Sequence, residues 1–307
     1  MRALITGITG FVGSHLAEHL LAAGDEVQGA ARTGKLAHVL AGVKLATWNV
    51  ADDLSAAAET QIAAFAPDVI YHLAAMSIGG ACQAQPDLAW QTNVQGTERV
   101  FRLAASLPRR PRVLFVSSAQ VYGPVSFERP VVVEDMPLRP VEVYARTKWA
   151  GEQIAHHAAK QGVECVIVRS FNHAGPRQPR QLMLAEWAAA LAETKDVPLR
   201  VQSLSAHLDL SDARDAVRAY RLLALEGTPG EAYNVGSGLS QTSGQIVAQL
   251  MQLAGDTRPV VETSPGRRQR PIASLEKLRA TIKWRPEIPL ETTLADTLAY
   301  WRSRLAK

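Results

Sequence analysis

Short runs of β-branched and aliphatic residues alternate with longer amphipathic stretches through the first half of the chain. The runs predict six strands, at residues 2–6, 27–31, 43–49, 69–73, 113–117 and 163–169. The stretches between them predict four helices, at residues 11–23, 55–65, 87–107 and 144–161. Strand–helix alternation of this kind predicts a parallel sheet with helices on both faces, which is a doubly wound α/β fold of the Rossmann type.

The pattern changes after a loop of glycine, proline and arginine at residues 175–180. Shorter, scattered elements follow, predicted at residues 182–194, 212–226, 232–235, 242–254 and 290–304. We therefore expect a Rossmann domain over residues 1–170 and a smaller lobe over residues 171–307, some segments of which return to the first domain. Such a lobe would lie over the carboxyl ends of the strands, where ligands of these folds bind, and would mainly hold the substrate.

The composition narrows the class of protein. The chain has 307 residues, 47% of them hydrophobic and 20% charged, which is ordinary globular composition. The net charge of +4 is small, and the sequence has no run of five like charges, so nucleic acid is not an expected partner.

Two features of the sequence indicate whether to expect a metal site, a disulfide bond or a membrane-spanning segment. Cys82 and Cys165 are far apart and form no CxxC pair, so the sequence gives no support for a disulfide framework or a metal site. The first residues run directly into a strand, and no apolar stretch is long enough to cross a bilayer. We expect a cytoplasmic protein without a membrane partner.

A glycine-rich loop between the first strand and the first helix is the earliest candidate for chemistry. Its glycines have the spacing GxxGxxG, and the loop comprises Gly7, Gly10, Phe11, Val12 and Gly13. A pyrophosphate needs close backbone amides and the positive end of a helix dipole, and glycines permit that approach because they have no Cβ. In this context the loop predicts a dinucleotide site.

The end of the second strand bears on which dinucleotide is bound. An acidic residue there usually holds a ribose 2′-hydroxyl, whereas a 2′-phosphate requires arginine. The strand ends in Ala31 and Arg32, with no carboxylate before Asp52. We expect NADP(H), with NAD(H) possible, and a solvated surface arginine as the alternative interpretation of Arg32. Asn49 and Val50, at the end of the third strand, fall where the adenine edge would lie.

Tyr144 and Lys148 form a YxxxK pair near a predicted helix start, and this spacing puts them on one helical face. A tyrosine with its ordinary pKa of about 10 is a poor acid–base group at neutral pH, and a lysine ammonium beside it would lower that pKa. Ser118, at the end of the fifth strand, could polarise a substrate carbonyl next to the tyrosine. The alternative is an interfacial tyrosine with a solvated lysine, and the nearby serine weighs against it.

These motifs occur together with others in a fixed order. They are the glycine loop, HLAA at 72–75, NVQGT at 93–97, SSAQVYG at 117–123, YxxxK at 144–148 and RSFNHAGPR at 169–177. In this order they resemble the extended short-chain dehydrogenase/reductase family, and DARD at 212–215, YNVG at 233–236 and KWRP at 283–286 resemble its tail. The FNHxGP block is typical of the branch of GDP-4-keto-6-deoxy-mannose reductases and GDP-mannose 4,6-dehydratases.

The resemblance implies a role for each matching residue, with a nucleotide-diphosphate sugar as substrate. The catalytic residues would be Ser118, Tyr144 and Lys148. Beyond the glycine loop, the resemblance adds to the cofactor site Leu73, Ala74, Ala75, Tyr144, Lys148, Phe171 and His173. The substrate would contact Ser77, Gln120, Asn172, Arg177, Arg267, Arg268 and Arg270. For the basic run Arg267–Arg270 a solvated loop is an equal alternative, and the resemblance does not single out which of its arginines would contact the diphosphate. Asn93 would support the active-site backbone, and Leu208 stands where many members have an arginine that contacts the diphosphate.

The resemblance also orders the possible reactions. Dehydratases of the family have a carboxylate just after the catalytic hydroxyl residue, and here Ala119 and Gln120 stand instead. Epimerases usually hold NAD with an acidic residue at the end of strand two, where this chain has Ala31 and Arg32. We therefore expect reduction of the 4-keto group of a nucleotide-activated 6-deoxy sugar. The alternatives are a 4-epimerase or 4,6-dehydratase, and a non-catalytic NADP redox sensor, against which the tyrosine–lysine pair weighs.

Family members pair as dimers through two long helices. The helices predicted at residues 87–107 and 144–161 resemble those, so we expect a homodimer.

Overall fold

The structure is a computed structural model that describes residues 1–33, 43–193 and 197–305. Its longer strands are β1 (Arg2–Thr6), β2 (Glu26–Ala31), β3 (Lys44–Thr47), β4 (Val69–His72), β5 (Arg112–Ser118), β7 (Cys165–Ser170) and β12 (Ala232–Val235). The short strands are β6 (Val131–Val132), β8 (Asn172–Ala174), β9 (Leu199–Val201), β10 (Ala206–Leu208), β11 (Leu210–Asp212), β13 (Gln241–Thr242), β14 (Val260–Glu262), β15 (Arg268–Gln269) and β16 (Ile272–Ala273).

The helices follow the same chain order. They are α1 (Phe11–Ala22), α2 (Ala56–Phe65), α3 (Gly79–Ala84), α4 (Pro86–Trp90), α5 (Gly96–Ser106), α6 (Val143–Lys160), α7 (Met183–Glu193), α8 (Ala213–Glu226), α9 (Ser243–Ala254), α10 (Glu276–Thr281) and α11 (Leu290–Leu305). A π-helical turn at Gln91–Gln95 joins α4 to α5, and a 3₁₀ turn at Ala119–Tyr122 follows β5.

Seven strands form one parallel sheet in the order β12-β7-β5-β4-β1-β2-β3. All six strands predicted in the first half belong to it, so the predicted doubly wound α/β fold is confirmed. Neighbouring residues of one strand face different cores, as Leu4 and Ile5 do, because side chains alternate across a sheet that is covered on both faces. β12 returns from far along the chain and places Ala232 opposite Ile167 of β7.

One predicted helix differs from the structure. Residues 87–107 were expected to form a single helix, but the π-helical turn interrupts it, and a separate α3 precedes it. The cause is long-range: the Asn93 side chain accepts a hydrogen bond from the Met76 amide at 2.7 Å and donates to the Thr147 hydroxyl at 2.9 Å. A wide turn is one way for a helix to direct a side chain into such a site.

The part of the chain after β7 has a core of its own. α7, α9 and α11 pack together through buried side chains that include Leu184, Ile246 and Leu294. α7 begins at Met183 and is described to Glu193, whereas the predicted end at Thr194 lies outside the described residues. The predicted boundary at residue 170 stays a prediction. No helix of the described residues is both long enough and apolar enough to cross a membrane.

Candidate active site

A cavity of about 1100 Å³ opens at the carboxyl ends of β1, β2, β4, β5 and β7. Its other wall comes from later segments of the chain, at residues 182–184, 208–210 and 268–271. A pocket for one small ligand typically measures about 300–1,000 Å³. This cavity is slightly larger than that range, and it lies at the edge of the sheet where doubly wound folds bind their ligands.

The glycine loop shapes one end of the cavity. Gly7 has a φ of +75°, and a Cβ on it would lie 2.8 Å from the Ala74 amide nitrogen, while a Cβ on Gly13 would lie 2.2 Å from the Gly7 carbonyl oxygen. Gly10 is the N-cap of α1, and no side chain caps that helix. The glycines therefore permit close backbone packing of the loop that Cβ atoms would prevent, and the uncapped amides at the start of α1 suit a pyrophosphate.

The neighbouring wall contains the other residues expected at the adenosine end of a dinucleotide. Ala31, Arg32, Asn49 and Val50 all line the cavity. Arg32 is exposed and forms no ion pair within the described residues. The Asn49 side chain donates to Asp52 at 2.8 Å and so helps to close the turn after β3. An unpaired guanidinium at the end of β2 can bind an anionic group such as a 2′-phosphate.

Ser118, Tyr144 and Lys148 lie together in the middle of the cavity, and all three are buried. Ser118 is the last residue of β5, and its hydroxyl accepts a hydrogen bond from the Gln120 amide at 3.2 Å. Tyr144 and Lys148 are on α6, one turn apart. The Lys148 ammonium donates to the Val116 carbonyl at 2.8 Å, so β5 fixes its position.

Burial controls the protonation of the two groups on α6. Removal from water disfavours a charged side chain, so it raises the pKa of Tyr144 to about 12, and the adjacent Ser118 hydroxyl offsets only part of this shift. The same effect lowers the pKa of Lys148 to about 8. Lys148, which was expected to lower the pKa of Tyr144, is not among the groups that shift it in the protein alone. Tyr144 holds its proton at neutral pH.

The residues expected near the nicotinamide and the sugar also line the cavity. They are Leu73, Ala74, Ala75, Ser77, Gln120, Phe171, Asn172, His173, Arg268 and Arg270. The carbonyl oxygen of the Gln120 side chain is buried and accepts no hydrogen bond from the described residues. A buried acceptor of this kind is costly unless a ligand or water donates to it, so Gln120 fits a substrate contact. Leu208 also faces the cavity.

Two predicted substrate contacts do not line the cavity. The Arg177 guanidinium instead binds both carboxylate oxygens of Glu18, at 2.7 and 2.6 Å. The Arg267 guanidinium lies 4.2 Å from the centre of the Phe127 ring, where a cation–π contact holds it. Both arginines belong to the predicted segments, but in this structure their side chains bind local partners and do not line the cavity.

The cavity-lining residues that sequence reasoning missed include Glu142, Gln178 and Tyr220. Glu142 is the single carboxylate among the described residues that line it, although it does not contribute to the pKa shift of Tyr144. Its position two residues before Tyr144, at the N-cap of α6, was a usable signal. Gln178 and Tyr220 gave no comparable signal, because only the fold brings them to the cavity.

The fold and this site define a dinucleotide-binding enzyme. The chain matches the NAD dependent epimerase/dehydratase family over residues 3–236, and it belongs to that family. The resemblance to the extended short-chain dehydrogenase/reductase family is thus confirmed.

Relatives with different reactions are similarly close. GDP-6-deoxy-D-mannose reductase of Pseudomonas aeruginosa is 27% identical, over 99% of this chain and 98% of that protein. dTDP-glucose 4,6-dehydratase of Streptomyces griseus is 28% identical over 97% and 93%. UDP-glucose 4-epimerase of Mycolicibacterium smegmatis is 28% identical over 99% of both chains. Identity alone does not separate these reactions.

Solved structures agree with the fold and the class of cofactor. RMD from Pseudomonas aeruginosa complexed with NADPH has a TM-score of 0.85 and 26% identity, over 99% of both chains. UDP-glucose 4-epimerase from Thermus thermophilus in complex with NAD has a TM-score of 0.88 and 27% identity, over 98% of this chain and 99% of that one. The expected nicotinamide dinucleotide is confirmed as the class of cofactor, whereas the choice between NADP and NAD is not.

Proposed function

We propose that this protein uses NADPH to reduce the 4-keto group of a nucleotide-diphosphate 6-deoxy-hexose, of the GDP-4-keto-6-deoxy-mannose type. The observation that carries the proposal is the chemistry around Tyr144. That residue holds its proton at neutral pH, and the positions after Ser118 are Ala119 and Gln120, which cannot exchange a proton with a substrate. A site with a protonated tyrosine and no carboxylate directly after the catalytic serine suits reduction.

The chemistry assigned to each side chain follows from its place. A bound reduced nicotinamide would supply a hydride to the carbonyl carbon. The Ser118 hydroxyl would donate a hydrogen bond to the carbonyl oxygen, and Tyr144 would transfer its phenolic proton to that oxygen, so that the ketone becomes an alcohol. The Lys148 ammonium would stabilise the phenolate that remains and would hold the cofactor ribose.

The rest of the cavity supports this substrate class. Arg268 and Arg270 supply positive charge to the lining of the cavity, where a diphosphate could bind. Ser77, Gln120 and Asn172 supply hydrogen-bonding groups for the sugar. Arg32, which has no carboxylate beside it on β2, favours NADPH over NADH.

An absorbance assay of NADPH loss tests the reaction. It would use a panel of 4-keto-6-deoxy sugars linked to GDP, dTDP or UDP, with the product alcohol identified by NMR. We expect one NADPH to be consumed for each sugar reduced. Conversion of a sugar nucleotide without net consumption of cofactor would instead identify a 4-epimerase or 4,6-dehydratase, and cofactor binding without turnover of any sugar would identify a redox sensor.

Replacement of Tyr144 by Phe tests the assignment of the proton donor. Tyr144→Phe should lower kcat by at least about 100-fold, the usual contribution of a positioned acid, and leave the Kd for NADPH unchanged. Tyr300→Phe, on α11 and outside the cavity, is the matched control and should retain full activity. A Tyr144→Phe protein with the normal turnover rate would refute the assignment.

Glu142 is a carboxylate in the cavity, so its replacement tests the dehydratase alternative. In a reductase, Glu142→Gln should change kcat by less than about threefold, since no proton has to pass through it. In a dehydratase that uses Glu142 as its acid, the same change should abolish the loss of water from a GDP- or dTDP-hexose.

A further inference from the structure

One face of α1 binds the end of β8 and the turn that follows it, next to residues that line the cavity. Phe11, His15 and Glu18 lie on this face, one turn apart. The segment comprises residues 173–177 and begins with His173, which lines the cavity. We call the contacts of His15 and Glu18 with Pro176 and Arg177 the α1 latch.

Arg177 makes the strongest contacts of the latch. Its guanidinium donates to both oxygens of the Glu18 carboxylate, at 2.7 and 2.6 Å, in a two-pronged geometry. It also donates to Nδ1 of His15 at 2.8 Å. A planar donor bound at three points fixes the segment in direction as well as in distance.

His15 binds both Arg177 and the residue before it, Pro176. Its Nε2 lies 2.9 Å from the Pro176 carbonyl oxygen, which can only accept a hydrogen bond. An arginine can only donate, so the contact with Arg177 requires Nδ1 of His15 to accept. These two partners together require the neutral tautomer of His15 with its proton on Nε2. Both ring nitrogens of His15 are then paired, whereas Nε of Arg177 is buried and has no hydrogen-bond partner among the described residues.

Ring contacts connect the latch to Phe11 and His173, which line the cavity. The rings of Phe11 and His173 are stacked with 5.9 Å between centroids and 27° between planes, and the edge of His15 meets Phe11 at 5.5 Å. Phe11 is the first residue of α1, next to the amides that suit a pyrophosphate. The latch thus joins the glycine-loop end of the cavity to the wall that carries His173.

The backbone of Arg177 adopts an unfavourable conformation in this position. Its φ is +72°, in the left-handed region that L-residues other than glycine seldom occupy. Backbone of this kind persists where surrounding contacts fix it, and it is often found at functional sites. Here the contacts that fix it are those of the guanidinium with α1.

We infer that Arg177 is a positioning residue of the dinucleotide site: the α1 latch keeps His173 against Phe11 and so sets the affinity for NADPH without taking part in proton transfer. The inference rests on the proposed function for the substrate of the turnover assay, whereas its main readout is binding of the dinucleotide alone. The guanidinium does not line the cavity, so a direct contact with substrate is not part of its role.

The test compares Arg177→Met with the wild-type protein. The Kd for NADPH and for NADH, from the fluorescence of the reduced nicotinamide on titration, should rise about tenfold, as expected for the loss of charged hydrogen bonds. At saturating NADPH, kcat with a 4-keto sugar nucleotide should stay within about threefold of normal, because Ser118, Tyr144 and Lys148 are untouched. Glu18→Gln should produce a smaller rise in Kd, since an amide oxygen can still accept.

Controls separate this role from a merely structural one. Arg180→Met removes an arginine of the same loop that binds Glu193 instead of α1, and its Kd for NADPH should be normal. Arg177→Gly removes the guanidinium but relieves the backbone, so it should fold even if Arg177→Met does not, and it should show the same weak binding. Normal NADPH binding by a folded Arg177→Met or Arg177→Gly protein would overturn the inference, and so would an effect on the KM for the sugar nucleotide alone.

Discussion

At the scale of single residues, Tyr144 and Lys148 show how one physical effect acts on two chemical groups. Burial disfavours charge on both, and therefore raises the pKa of Tyr144 to about 12 and lowers that of Lys148 to about 8. The tyrosine keeps its proton far above neutral pH, whereas the lysine loses its charge slightly above it. Lys148 is consequently the group whose titration should be visible in the activity of the enzyme.

NADPH binding should weaken as the pH rises through about 8. The pKa of Lys148 is lowered, so below about 8 the side chain is an ammonium that attracts an anionic dinucleotide, and above it the neutral amine no longer supplies that attraction. The measurement is the Kd for NADPH by fluorescence between pH 6.5 and 9.5. At the alkaline end the Kd should rise by about tenfold per pH unit. Lys148→Met should bind weakly at every pH, and a persisting alkaline limb in that variant would assign the titration to another group.

Arg32 should determine the preference between the two dinucleotides. Arg32→Gln removes the cation at the end of β2 and should raise the Kd for NADPH by about 10- to 100-fold, the value of a charged hydrogen bond to a phosphate, while the Kd for NADH changes little. Arg102→Gln, an exposed arginine of α5 paired with Glu98, is the control and should change neither value. Equal losses for both dinucleotides would show that Arg32 does not read the 2′-phosphate.

Residue types and spacing in the sequence predicted which segments form the cavity, but not where every long side chain points. The motifs correctly predicted that Ser118, Tyr144 and Lys148 line one cavity, because their backbone positions alone bring these residues close together. Arg177 and Arg267 were expected at the substrate, yet Glu18 and Phe127 bind them elsewhere. An arginine has several rotatable bonds, so its direction depends on partners that are distant in sequence.

At the scale of elements, a buried ion pair attaches α6 to the sheet. Glu152 on α6 accepts hydrogen bonds from Arg169 of β7 at 3.1 and 2.9 Å and from the Ser117 hydroxyl of β5 at 2.5 Å. Glu152 is one turn beyond Lys148, and Ser117 precedes Ser118. The pair therefore fixes the helix that carries Tyr144 and Lys148 relative to the strand that carries Ser118.

Glu152→Gln should destabilise the protein by about 3–5 kcal/mol, because it leaves the Arg169 guanidinium buried without its counter-charge. The free energy of unfolding in urea measures this. Glu164→Gln is the matched control: Glu164 pairs with Arg112 at an exposed site, where loss of the pair should change stability by about 0–1 kcal/mol. Equal, small effects of both substitutions would show that the buried pair does not hold α6.

The order of strands and helices was predictable from hydrophobic periodicity, because each sheet strand is short, apolar and bounded by turns. The π-helical turn at Gln91–Gln95 was not predictable in this way. Its cause is the contact of Asn93 with Met76 and Thr147, which are distant in sequence, and a periodic apolar pattern carries no information about such contacts. β7 and β12 were both expected as strands, but the pairing of β12 with β7 was not foreseen.

At the scale of the whole molecule, the two long helical segments expected to form a dimer interface expose large apolar side chains. Trp90 of α4 is 48% exposed and Trp149 of α6 is 41% exposed. Both elements belong to one side of the fold, since α4 contacts α6 directly. Exposed aromatic side chains grouped in this way are typical of protein interfaces, in which tryptophan is enriched.

We therefore predict that Trp149→Glu prevents self-association. The wild-type protein should sediment as a dimer at micromolar concentration, and the variant should sediment as a monomer because the interface would bury an unpaired carboxylate. Leu225→Glu, at an equally exposed apolar position on α8, should leave the dimer intact. A monomeric wild-type protein would contradict the prediction.

The late return of β12 to the sheet affects how the chain can be synthesised or divided. Until β12 arrives, β7 is an edge strand with unpaired amides and carbonyls, and such edges associate with other chains. β12 lies about 60 residues after β7, a delay of several seconds at a ribosomal rate of about 5–20 residues per second. A fragment that ends near residue 170 would retain that open edge permanently. Soluble expression of such a fragment would consequently need a cap on β7 as well as a well-chosen end point.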